Sequence, residues 1–393
     1  MAEPIFKILT YNNIAIAGLE RFPREHYEVA SEIQHPDAII LRSHNLHNES
    51  LPETVKAIGR AGAGVNNIPV EACSRRGIPV FNTPGANANA VKELVLGGML
   101  LACRNLCQAW DYARRLEGDD QAIHRQVEAG KKQFQGFELA GKMLGVVGLG
   151  AIGVKVANKA LALGMNVSGF DPYVTVERAW QLSSSVIQAS NLDELLGICD
   201  FVTLHMPLTD QTRGCIDSAR LSQMKEGSIL LNFSRGELVD SKAVIAALDE
   251  GRLHAYVTDF PDAALKIHPR AICLPHLGAS TREAEENCAV MVADQIRDFL
   301  ENGNIRHSVN FPEVVLARAP GTTRLAIPHA NVPAMVSKIS ACLGEAQINI
   351  VELLNKSKGD IAYTMIDAEG RLGSEIVTEI ESLEGVLSAR VIQ

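Results

Sequence analysis

The sequence predicts an α/β protein with a doubly wound parallel sheet, a further α/β unit before it and a small βαββαβ unit at the end of the chain. Three observations predict this. A glycine-rich turn follows an apolar run at Gly148, and apolar runs of strand length alternate with helical patterns as far as Leu300. After a break at residues 301–321 the order of the patterns changes. Alternating strands and helices are typical of parallel sheets with right-handed crossovers.

The clearest element is the apolar run Met143–Val147, which leads into a glycine-rich turn. The turn has Gly148, Gly150 and Gly153 in the pattern Gly-x-Gly-x-x-Gly, and a helical pattern follows at once. The first glycine permits a tight turn, the second lets the backbone approach a pyrophosphate, and the third lets the helix pack close to the strand. The helix N-terminus offers N–H groups to the same pyrophosphate. These features predict a Rossmann-type dinucleotide-binding domain.

An acidic residue ends the next predicted strand, where Asp171 follows Asn166–Phe170. At this spacing a carboxylate accepts hydrogen bonds from the ribose hydroxyls. Because a carboxylate would repel a 2′-phosphate, Asp171 favours NAD as the cofactor.

Composition narrows the classes of function. At 393 residues the chain has room for about two or three domains, and its net charge of -9 argues against a nucleic-acid partner. The eight cysteines form no Cys-x-x-Cys pair and no zinc-type cluster, so we expect no metal site and reduced thiols in a cytoplasmic protein. A signal-peptide pattern and an apolar run of membrane-spanning length are both absent from the sequence, so we expect no membrane partner.

The pattern of short strands and helices in residues 1–92 predicts a small α/β unit. Its apolar strand candidates are Phe6–Thr10, Ala38–Leu41 and Ile78–Phe81. Polar or glycine-rich turns follow strand-like runs at residues 42–43, 59–67 and 82–87. In open α/β sheets ligands lie at such strand ends, and glycines at 62 and 64 leave backbone N–H groups to hold a carboxylate. We therefore expect this unit to bind a substrate.

The middle of the chain continues the alternation of strands and helices. A long helical pattern at Ala90–Ala113 leads into it, and residues 114–142 are polar and less periodic. The further strand candidates are Phe201–Leu204, Ser228–Asn232, Ala255–Asp259 and Ala271–Leu274. The helices predicted there are Asp193–Ile198, Ser241–Leu248 and a long one at Thr281–Leu300.

Asn-Gly, Phe-Pro and Pro-Gly pairs then indicate a linker. The tail predicts a strand (Thr323–Ile327), a helix (Pro333–Leu343), two strands, a helix (Glu375–Ser382) and a strand (Val386–Ile392), which is the order βαββαβ. The predicted domains are residues 1–92 with 280–305, residues 93–279, a linker at 306–321 and residues 322–393.

Polar residues at the predicted strand ends of the middle domain form a set suited to hydride transfer. They are Asn232–Gly236, Asp259, Asp262 and Pro275–Gly278. Oxidation of a secondary alcohol needs a base for the hydroxyl proton, and histidine suits this because its pKa lies near neutrality. An arginine fork can hold a substrate carboxylate and polarise the nascent carbonyl, and a carboxylate beside the histidine stabilises the imidazolium. Arg235, His276 and a carboxylate therefore predict oxidation of a 2-hydroxy acid by NAD.

These motifs resemble the D-isomer-specific 2-hydroxyacid dehydrogenase family. The residues that carry the resemblance are Gly148–Gly153 with Asp171, His205–Thr209, Asn232–Asp240 and Pro275–Thr281. The last run, Pro-His-Leu-Gly-Ala-Ser-Thr, is most similar to members that oxidise D-3-phosphoglycerate to 3-phosphohydroxypyruvate in L-serine synthesis. The tail from residue 322 resembles an ACT regulatory domain. The resemblance implies a flavodoxin-like substrate domain, a Rossmann NAD domain inserted in it and a ferredoxin-like ACT domain.

The resemblance also implies a role for each matching residue. Those that would face NAD are Gly148, Gly150, Ala151, Ile152, Gly153, Asp171, His205, Met206, Pro207, Phe233, Ser234, Arg235, Asp259, His276, Gly278 and Ala279. Those that would contact substrate are Arg42, as the phosphate ligand, and Ser43, Ala63, Gly64, Val65, Asn87 and Arg235. His276 would be the acid/base. The residues that would hold an amino-acid effector, usually L-serine, are His329, Asn331 and Asn349.

One position departs from the family pattern. The family usually has a glutamate five residues after Asp259, and this chain has Ala264 there. Asp262 either supplies the carboxylate partner of His276 from a nearby position or is a surface carboxylate in a Pro-Asp turn. We count Asp262 with Arg235 and His276 as the predicted catalytic set.

Two alternatives to phosphoglycerate oxidation remain at the level of sequence. One is a dehydrogenase for another D-2-hydroxy acid, such as glycerate, lactate or 2-hydroxyglutarate. The other is an NAD-sensing co-repressor on the same fold. The resemblance also implies a homodimer or homotetramer, with residues 90–113 near the interface.

Overall fold

The computed structural model describes residues 5–392, and the chain divides into two compact units. One unit combines the chain up to Ala86 with the chain from Arg282 onward, and the other is Asn87–Thr281. The division predicted from the sequence, into a substrate domain, a nucleotide domain, a linker and a C-terminal domain, stays a prediction. Among residues 5–392, no helix combines the length and the apolar character needed to cross a membrane.

Residues 5–86 form a parallel sheet flanked by short helices. The elements are β1 (Phe6–Thr10), α1 (Ile16–Leu19), β2 (Tyr27–Ala30), β3 (Ala38–Leu41), β4 (Ala57–Arg60), α2 (Val70–Arg75) and β5 (Val80–Phe81). The strand order is β2-β1-β3-β4-β5, which is the flavodoxin-like order. The predicted strand at Ile78–Phe81 is wrong in its first half. The N–H of Ile78 bonds to the Cys73 carbonyl, and Pro79 has no N–H for the ladder.

The second unit begins with three helices and then alternates strands with helices. Its elements are α3 (Ala88–Cys103), α4 (Leu106–Arg114), α5 (Asp120–Gly130), β6 (Met143–Val147), α6 (Ala151–Ala162), β7 (Asn166–Phe170), α7 (Val176–Gln181), β8 (Ile187–Gln188), α8 (Leu192–Ile198), β9 (Phe201–Leu204), α9 (Ser218–Gln223), β10 (Ser228–Asn232), α10 (Ser241–Asp249), β11 (Leu253–Thr258) and β12 (Ala271–Cys273).

All seven strands of this unit pair in parallel, in the order β12-β11-β10-β9-β6-β7-β8. The chain turns back across the sheet between β6 and β9, which is the switch point of a doubly wound fold. Apolar clusters cover the sheet on two sides, one built around α3 and α6 and the other around α8 and α10. The predicted doubly wound parallel sheet is confirmed.

The long helix predicted at Ala90–Ala113 is wrong as a single element. It is two helices, α3 and α4, because Asn105 adopts a left-handed conformation with φ of 51°. Asparagine tolerates this conformation better than most residues do, so the break falls there. The polar stretch after it contains α5, which sequence periodicity did not predict. The Asp119 carboxylate caps that helix by accepting a 2.8 Å hydrogen bond from the Ala122 N–H.

The chain returns to the first unit through one long helix. The elements from there on are α11 (Arg282–Asn302), β13 (Thr322–Ala330), α12 (Met335–Glu345), β14 (Ile350–Lys358), β15 (Ile361–Glu369), α13 (Ser374–Glu381) and β16 (Arg390–Ile392). The four strands form an antiparallel sheet in the order β14-β15-β13-β16, so the predicted βαββαβ order is confirmed. The last strand is shorter than predicted, because Val386 makes only an isolated bridge to His329.

Three side chains of the antiparallel sheet cap the end of α11. Arg390 on β16 and Arg324 on β13 donate to backbone carbonyls there at 2.6–3.2 Å, and the Tyr363 hydroxyl on β15 donates at 2.8 Å. The accepting carbonyls are those of Phe299, Leu300, Asn302 and Gly303. The last carbonyls of a helix have no partner within the helix, so these contacts satisfy them.

Candidate active site

The glycine loop has the close contacts that its sequence predicts. Gly148 has a φ of +94°, and a Cβ on it would lie 2.7 Å from the carbonyl carbon of His205. A Cβ on Gly153 would lie 1.9 Å from the Gly148 oxygen, so α6 packs directly on the turn. At Gly150 a Cβ would meet nothing within 4 Å. Gly150 therefore faces open space, which is where a ligand can approach the backbone.

Helix α6 begins at Ala151, Ile152 follows, and no side chain caps the helix N-terminus. Asp171, at the end of β7, accepts 2.8 Å hydrogen bonds from the Leu149 N–H and the Tyr173 N–H. The carboxylate thus lies beside the glycine loop, as the glycine pattern followed by an acid predicts. Each carboxylate oxygen keeps a lone pair for a ribose hydroxyl.

The loop after β9 holds a neutral histidine. His205 shares a 3.0 Å hydrogen bond with the Thr203 hydroxyl, and its Nδ1 is buried without a partner in the described residues. Burial lowers the pKa of His205 to about 3, so the ring is uncharged at neutral pH. The Ser234 hydroxyl donates a 2.7 Å hydrogen bond to the Met206 carbonyl, which ties this loop to the loop after β10. Pro207 is exposed next to it.

The loop after β10 presents the predicted arginine. Asn232 is fully buried and organises the loop, since its side chain donates to the Arg235 carbonyl at 2.9 Å and accepts from the Ser234 N–H at 3.2 Å. Phe233 is buried in the core, whereas Arg235 is exposed. The guanidinium of Arg235 donates from Nη1 to the Ser234 carbonyl at 2.6 Å.

The turn after β12 carries the predicted base. The backbone N–H of His276 bonds to the Asp259 carbonyl at 3.0 Å, and the Gly278 N–H bonds to Asp259 Oδ2 at 3.0 Å. The imidazole is exposed and lies 4.9 Å from the Phe260 ring, centroid to centroid. Ala279 follows in the same turn.

Asp259 itself is 1% exposed, and its Oδ1 has no hydrogen-bond partner among the described residues. Burial raises the pKa of this carboxyl. An unpaired buried oxygen at the carboxyl edge of a nucleotide-binding sheet is suited to accept a hydrogen bond from a cofactor amide. With the open space at Gly150 and the uncapped helix, it makes this edge of the sheet fit NAD.

Asp262 makes contacts within its own loop and with Ser241 at the start of α10. Its Oδ1 accepts from the N–H groups of Ala264 and Leu265 at 2.9 and 2.8 Å. Burial opposes ionisation, but the hydrogen bonds from Leu265, Ser241 and Ala264 lower the pKa of the carboxyl. The hydrogen bonds and ion pairs of residues 5–392 do not include one between Asp262 and His276. Its catalytic role stays a prediction.

The predicted substrate contacts divide between the two units. Arg42 forms an ion pair with Glu285, 2.7 Å from Nη1 to Oε1, and the Ser43 N–H bonds to the Asn12 side chain at 3.0 Å. The others in the first unit, Ala63, Gly64 and Val65, lie on the loop after β4, where the Ala63 carbonyl accepts from the Asn82 side chain at 2.6 Å. Asn87 begins the second unit and precedes α3.

Sequence reasoning missed Arg60 at the end of β4. Its Nε donates a 3.0 Å hydrogen bond to the Arg42 carbonyl, which brings a second guanidinium group to the Arg42 loop. The signal in the sequence was an arginine within the glycine-rich turn at 59–67, but only the pairing of β3 with β4 brings the two arginines together.

The predicted effector residues lie on the antiparallel sheet or next to it. His329 is buried, and its ring nitrogens lie 2.8 Å from the Ala330 carbonyl and from the Thr364 hydroxyl. Asn331 donates to the Gly359 carbonyl at 3.0 Å, and Asn349 is exposed. Within residues 5–392, no group of three or more metal-binding side chains occurs.

The fold and this site define an NAD-binding dehydrogenase. A doubly wound sheet presents a glycine loop, the acid that the sequence predicts for the ribose, an arginine and a histidine at the carboxyl ends of its strands.

Comparison with known proteins gives the family. The model of the D-isomer specific 2-hydroxyacid dehydrogenase NAD-binding domain matches residues 97–278. The D-3-phosphoglycerate dehydrogenase of Haemophilus influenzae is 36% identical over 355 residues, which are 88% of this chain and 82% of that protein. The enzyme of the same name from Dictyostelium discoideum is 31% identical over 98% of this chain and 97% of its own. The chain belongs to the D-isomer-specific 2-hydroxyacid dehydrogenase family.

Other relatives differ in length or in substrate. This chain spans 63% of the D-3-phosphoglycerate dehydrogenase of Methanocaldococcus jannaschii, at 37% identity over 86% of this chain. The NAD+-bound 3-phosphoglycerate dehydrogenase of Entamoeba histolytica has a similar structure, with a TM-score of 0.61 and 28% identity over 78% of this chain and 99% of that one. The D-mandelate dehydrogenase of Rhodotorula graminis is also similar, with a TM-score of 0.66 and 25% identity over 80% of this chain and 100% of that one. The predicted family, fold class and NAD cofactor are confirmed.

Proposed function

We propose that this protein oxidises D-3-phosphoglycerate to 3-phosphohydroxypyruvate with NAD, the first step of L-serine synthesis. The observation that carries the proposal is the 36% identity to a D-3-phosphoglycerate dehydrogenase over 88% of this chain, a length that includes both units. The acid at Asp171 supports NAD, and the arginine pair at Arg42 and Arg60 supports a phosphorylated substrate.

The residues of the second unit divide the chemistry among them. The glycine loop and Asp171 hold NAD, which when bound supplies the hydride acceptor. Arg235 binds the substrate carboxylate and polarises the C2 oxygen as it becomes a carbonyl. His276 takes the proton from the C2 hydroxyl. Its backbone is fixed through Asp259, which holds the turn on both sides of the imidazole.

Two further roles belong to this proposal. Arg42 binds the 3-phosphate through its guanidinium, with the loop at Ala63, Gly64 and Val65 and the side chain of Asn87 near the carboxylate. Asp262 is the predicted carboxylate partner of His276. Its Oδ1 accepts two backbone hydrogen bonds, and the contacts of Asp262 within residues 5–392 include none to His276, so the proposed role requires Oδ2 and the imidazole to come together when substrate binds.

A direct assay tests the function. The full chain is mixed with NAD and a panel of D-2-hydroxy acids, and NADH absorbance is followed. We expect D-3-phosphoglycerate to give the highest kcat/KM, and Arg235→Ala and His276→Ala to lower it by about a hundredfold or more. A higher kcat/KM for D-glycerate, D-lactate or D-2-hydroxyglutarate would reassign the substrate. An inactive wild-type chain that still binds NAD would favour the co-repressor alternative.

We propose L-serine as an effector of the antiparallel domain, through His329, Asn331 and Asn349. The fold supports this, since the βαββαβ order is that of the ACT domains the sequence resembles. Calorimetric titration with L-serine is the test, and the absence of both heat and inhibition at millimolar concentration would remove the effector.

We also propose a homodimer or homotetramer in the cytoplasm. Trp110 and Leu106 are exposed on α4, within the segment 90–113 that is predicted to lie near the interface, and all eight cysteines are free thiols. Light scattering tests the oligomeric state, and a monomer at assay concentration would contradict it.

A further inference from the structure

The predicted phosphate ligand Arg42 is not isolated at the end of β3. Its Nη1 lies 2.7 Å from Oε1 of Glu285, which belongs to the first two turns of α11. Both side chains are partly exposed, 37% for Arg42 and 43% for Glu285. Nothing in the sequence motifs singled out Glu285.

A second guanidinium group, that of Arg60, comes to the same loop as the Arg42–Glu285 ion pair. Arg60 donates to the Arg42 carbonyl at 3.0 Å. Burial raises the pKa of the Cys288 thiol on α11, and the charges of Arg42, Arg60 and Glu285 also act on that pKa, so the three side chains lie near one another. The cluster therefore combines two guanidinium groups with one carboxylate. These three side chains together carry one net positive charge, which suits a phosphate dianion.

Glu285 is presented by a firmly packed helix. A Cβ on Gly59, in β4, would lie 2.4 Å from Val292 on α11, so the helix and the strand that ends at Arg60 are in direct contact. The Gln295 side chain, buried on the same helix, donates to the Asn82 carbonyl at 3.0 Å. The position of the Glu285 backbone is thus fixed relative to the strand ends of the first unit.

An arginine side chain has many rotamers, and binding a ligand with it requires most of them to be lost. An ion pair with a carboxylate on a rigid helix restricts the guanidinium before the ligand arrives. The planar fork carries five N–H donors, so contact with one carboxylate oxygen leaves donors for a second anion. Glu285 also repels a phosphate, and water and salt screen that repulsion at this exposure. The proposal requires the ordering of Arg42 to outweigh it.

We propose that Glu285 is a positioning residue that holds the Arg42 guanidinium ready for the phosphate of the substrate. This inference rests on the proposed function, because it assigns a phosphate to Arg42. Glu285 is expected to affect the affinity for the phosphorylated end of the substrate. It is not expected to affect hydride transfer, which the residues of the second unit carry out.

A double-mutant cycle tests the proposal on the full-length chain. KM and kcat for D-3-phosphoglycerate are measured for the wild type, Glu285→Ala, Arg42→Ala and the double variant. We expect Glu285→Ala to raise KM about fivefold with kcat within about twofold, and to add almost nothing when Arg42 is already alanine. An unchanged or lowered KM in Glu285→Ala, or full additivity in the double variant, would overturn the proposal.

Two further variants separate charge from position. Glu285→Gln keeps an oxygen that can accept from Arg42, so its KM is expected to be at or below the wild-type value. Glu286→Ala is the matched control, since Glu286 is on the same turn with similar exposure and pairs with Arg282 instead. A KM increase of equal size in the control would attribute the effect to the helix and overturn the positioning role.

Inorganic phosphate as a competitive inhibitor reports on the phosphate contact without the reacting end of the substrate. Its inhibition constant is expected to rise in Glu285→Ala in parallel with KM, and an unchanged constant would contradict the proposal. If the wild-type chain fails to oxidise D-3-phosphoglycerate at all, the proposed function itself falls. If it is active and the cycle is additive, only the role of Glu285 falls.

Discussion

The backbone N–H of Leu149 in the glycine loop donates a 2.8 Å hydrogen bond to Oδ2 of Asp171 at the end of the next strand. The acid predicted to bind the ribose therefore also fixes the loop that would hold the pyrophosphate. A single side chain thus links the predicted ribose contact to the predicted pyrophosphate contact.

Replacing Asp171 should separate its two contributions. Asp171→Ala loses both the loop hydrogen bond and the acceptor for the ribose, so NAD affinity is expected to fall about tenfold or more. Asp171→Asn keeps an acceptor oxygen and removes the charge that repels a 2′-phosphate, so its preference for NAD over NADP should shrink. Fluorescence titration with each nucleotide measures both effects. An unchanged preference in Asp171→Asn would show that another group selects the cofactor.

The glycines at 150 and 153 should respond in opposite ways to the same substitution. A Cβ at Gly150 meets only open space, so Gly150→Ala is expected to unfold within about two degrees of wild type and yet to bind NAD more weakly. A Cβ at Gly153 would collide with the Gly148 oxygen, so Gly153→Ala should lower the thermal midpoint by several degrees. Thermal unfolding without nucleotide, followed by NAD titration, distinguishes the two. Full NAD affinity in Gly150→Ala would rule out close backbone approach at that residue.

The buried pair Arg324 and Asp367 should be sensitive to loss of one partner. Both side chains are 0% exposed, and they share hydrogen bonds of 2.6 and 2.7 Å. Asp367→Asn leaves a buried guanidinium without its counter-charge, so the free energy of unfolding is expected to fall by about 3 kcal/mol or more. Urea denaturation is the measurement.

Arg115 and Asp111 provide the control for that prediction. Their ion pair has the same length, 2.6 Å, but the side chains are 76% and 51% exposed. Arg115→Ala is expected to change the free energy of unfolding by less than about 1 kcal/mol. Comparable losses in the two variants would contradict the role given to burial.

Acid should destabilise the protein in part through His205. Its pKa is about 3 in the folded chain, below the value of about 6.5 in an unfolded one. Between these two values the unfolded chain binds a proton that the folded chain does not. The stability from His205 is therefore complete above about pH 6.5 and is lost as the pH falls. Between pH 7 and 5 we expect a loss of roughly 1 to 2 kcal/mol in wild type that His205→Asn lacks.

Urea denaturation at several pH values without nucleotide tests this. Parallel pH curves for the wild type and His205→Asn would mean that the ring takes up its proton in the folded state, and would contradict the effect of burial.

Sequence reasoning was most successful for segments whose local pattern is compatible with only one structure. The run Met143–Val147, the three glycines and Asp171 predict strand, turn and helix because each residue satisfies a short-range constraint. It was weakest where a single residue changes an otherwise regular pattern. Asn105 breaks a helix whose composition is helical on both sides, and α5 is polar enough to resemble a loop.

The contacts that complete the first unit could not be predicted, because they join distant parts of the chain. Arg60 reaches the Arg42 carbonyl only through the pairing of β3 with β4. Glu285 reaches the Arg42 side chain only because α11 returns to that sheet after the whole second unit. Long-range packing, and not local propensity, determines both.

The capping of α11 by the antiparallel sheet has a practical consequence for anyone who would shorten this protein. Ala326, Tyr363, Met365 and Ile392 share one apolar cluster with residues of the first sheet and of α11. Deleting the last seventy or so residues would expose that cluster to water and remove the described donors to the carbonyls of Leu300, Asn302 and Gly303. A truncated chain would thus confuse loss of the proposed serine response with loss of folding, and point substitutions at the predicted effector residues are the safer test of that proposal.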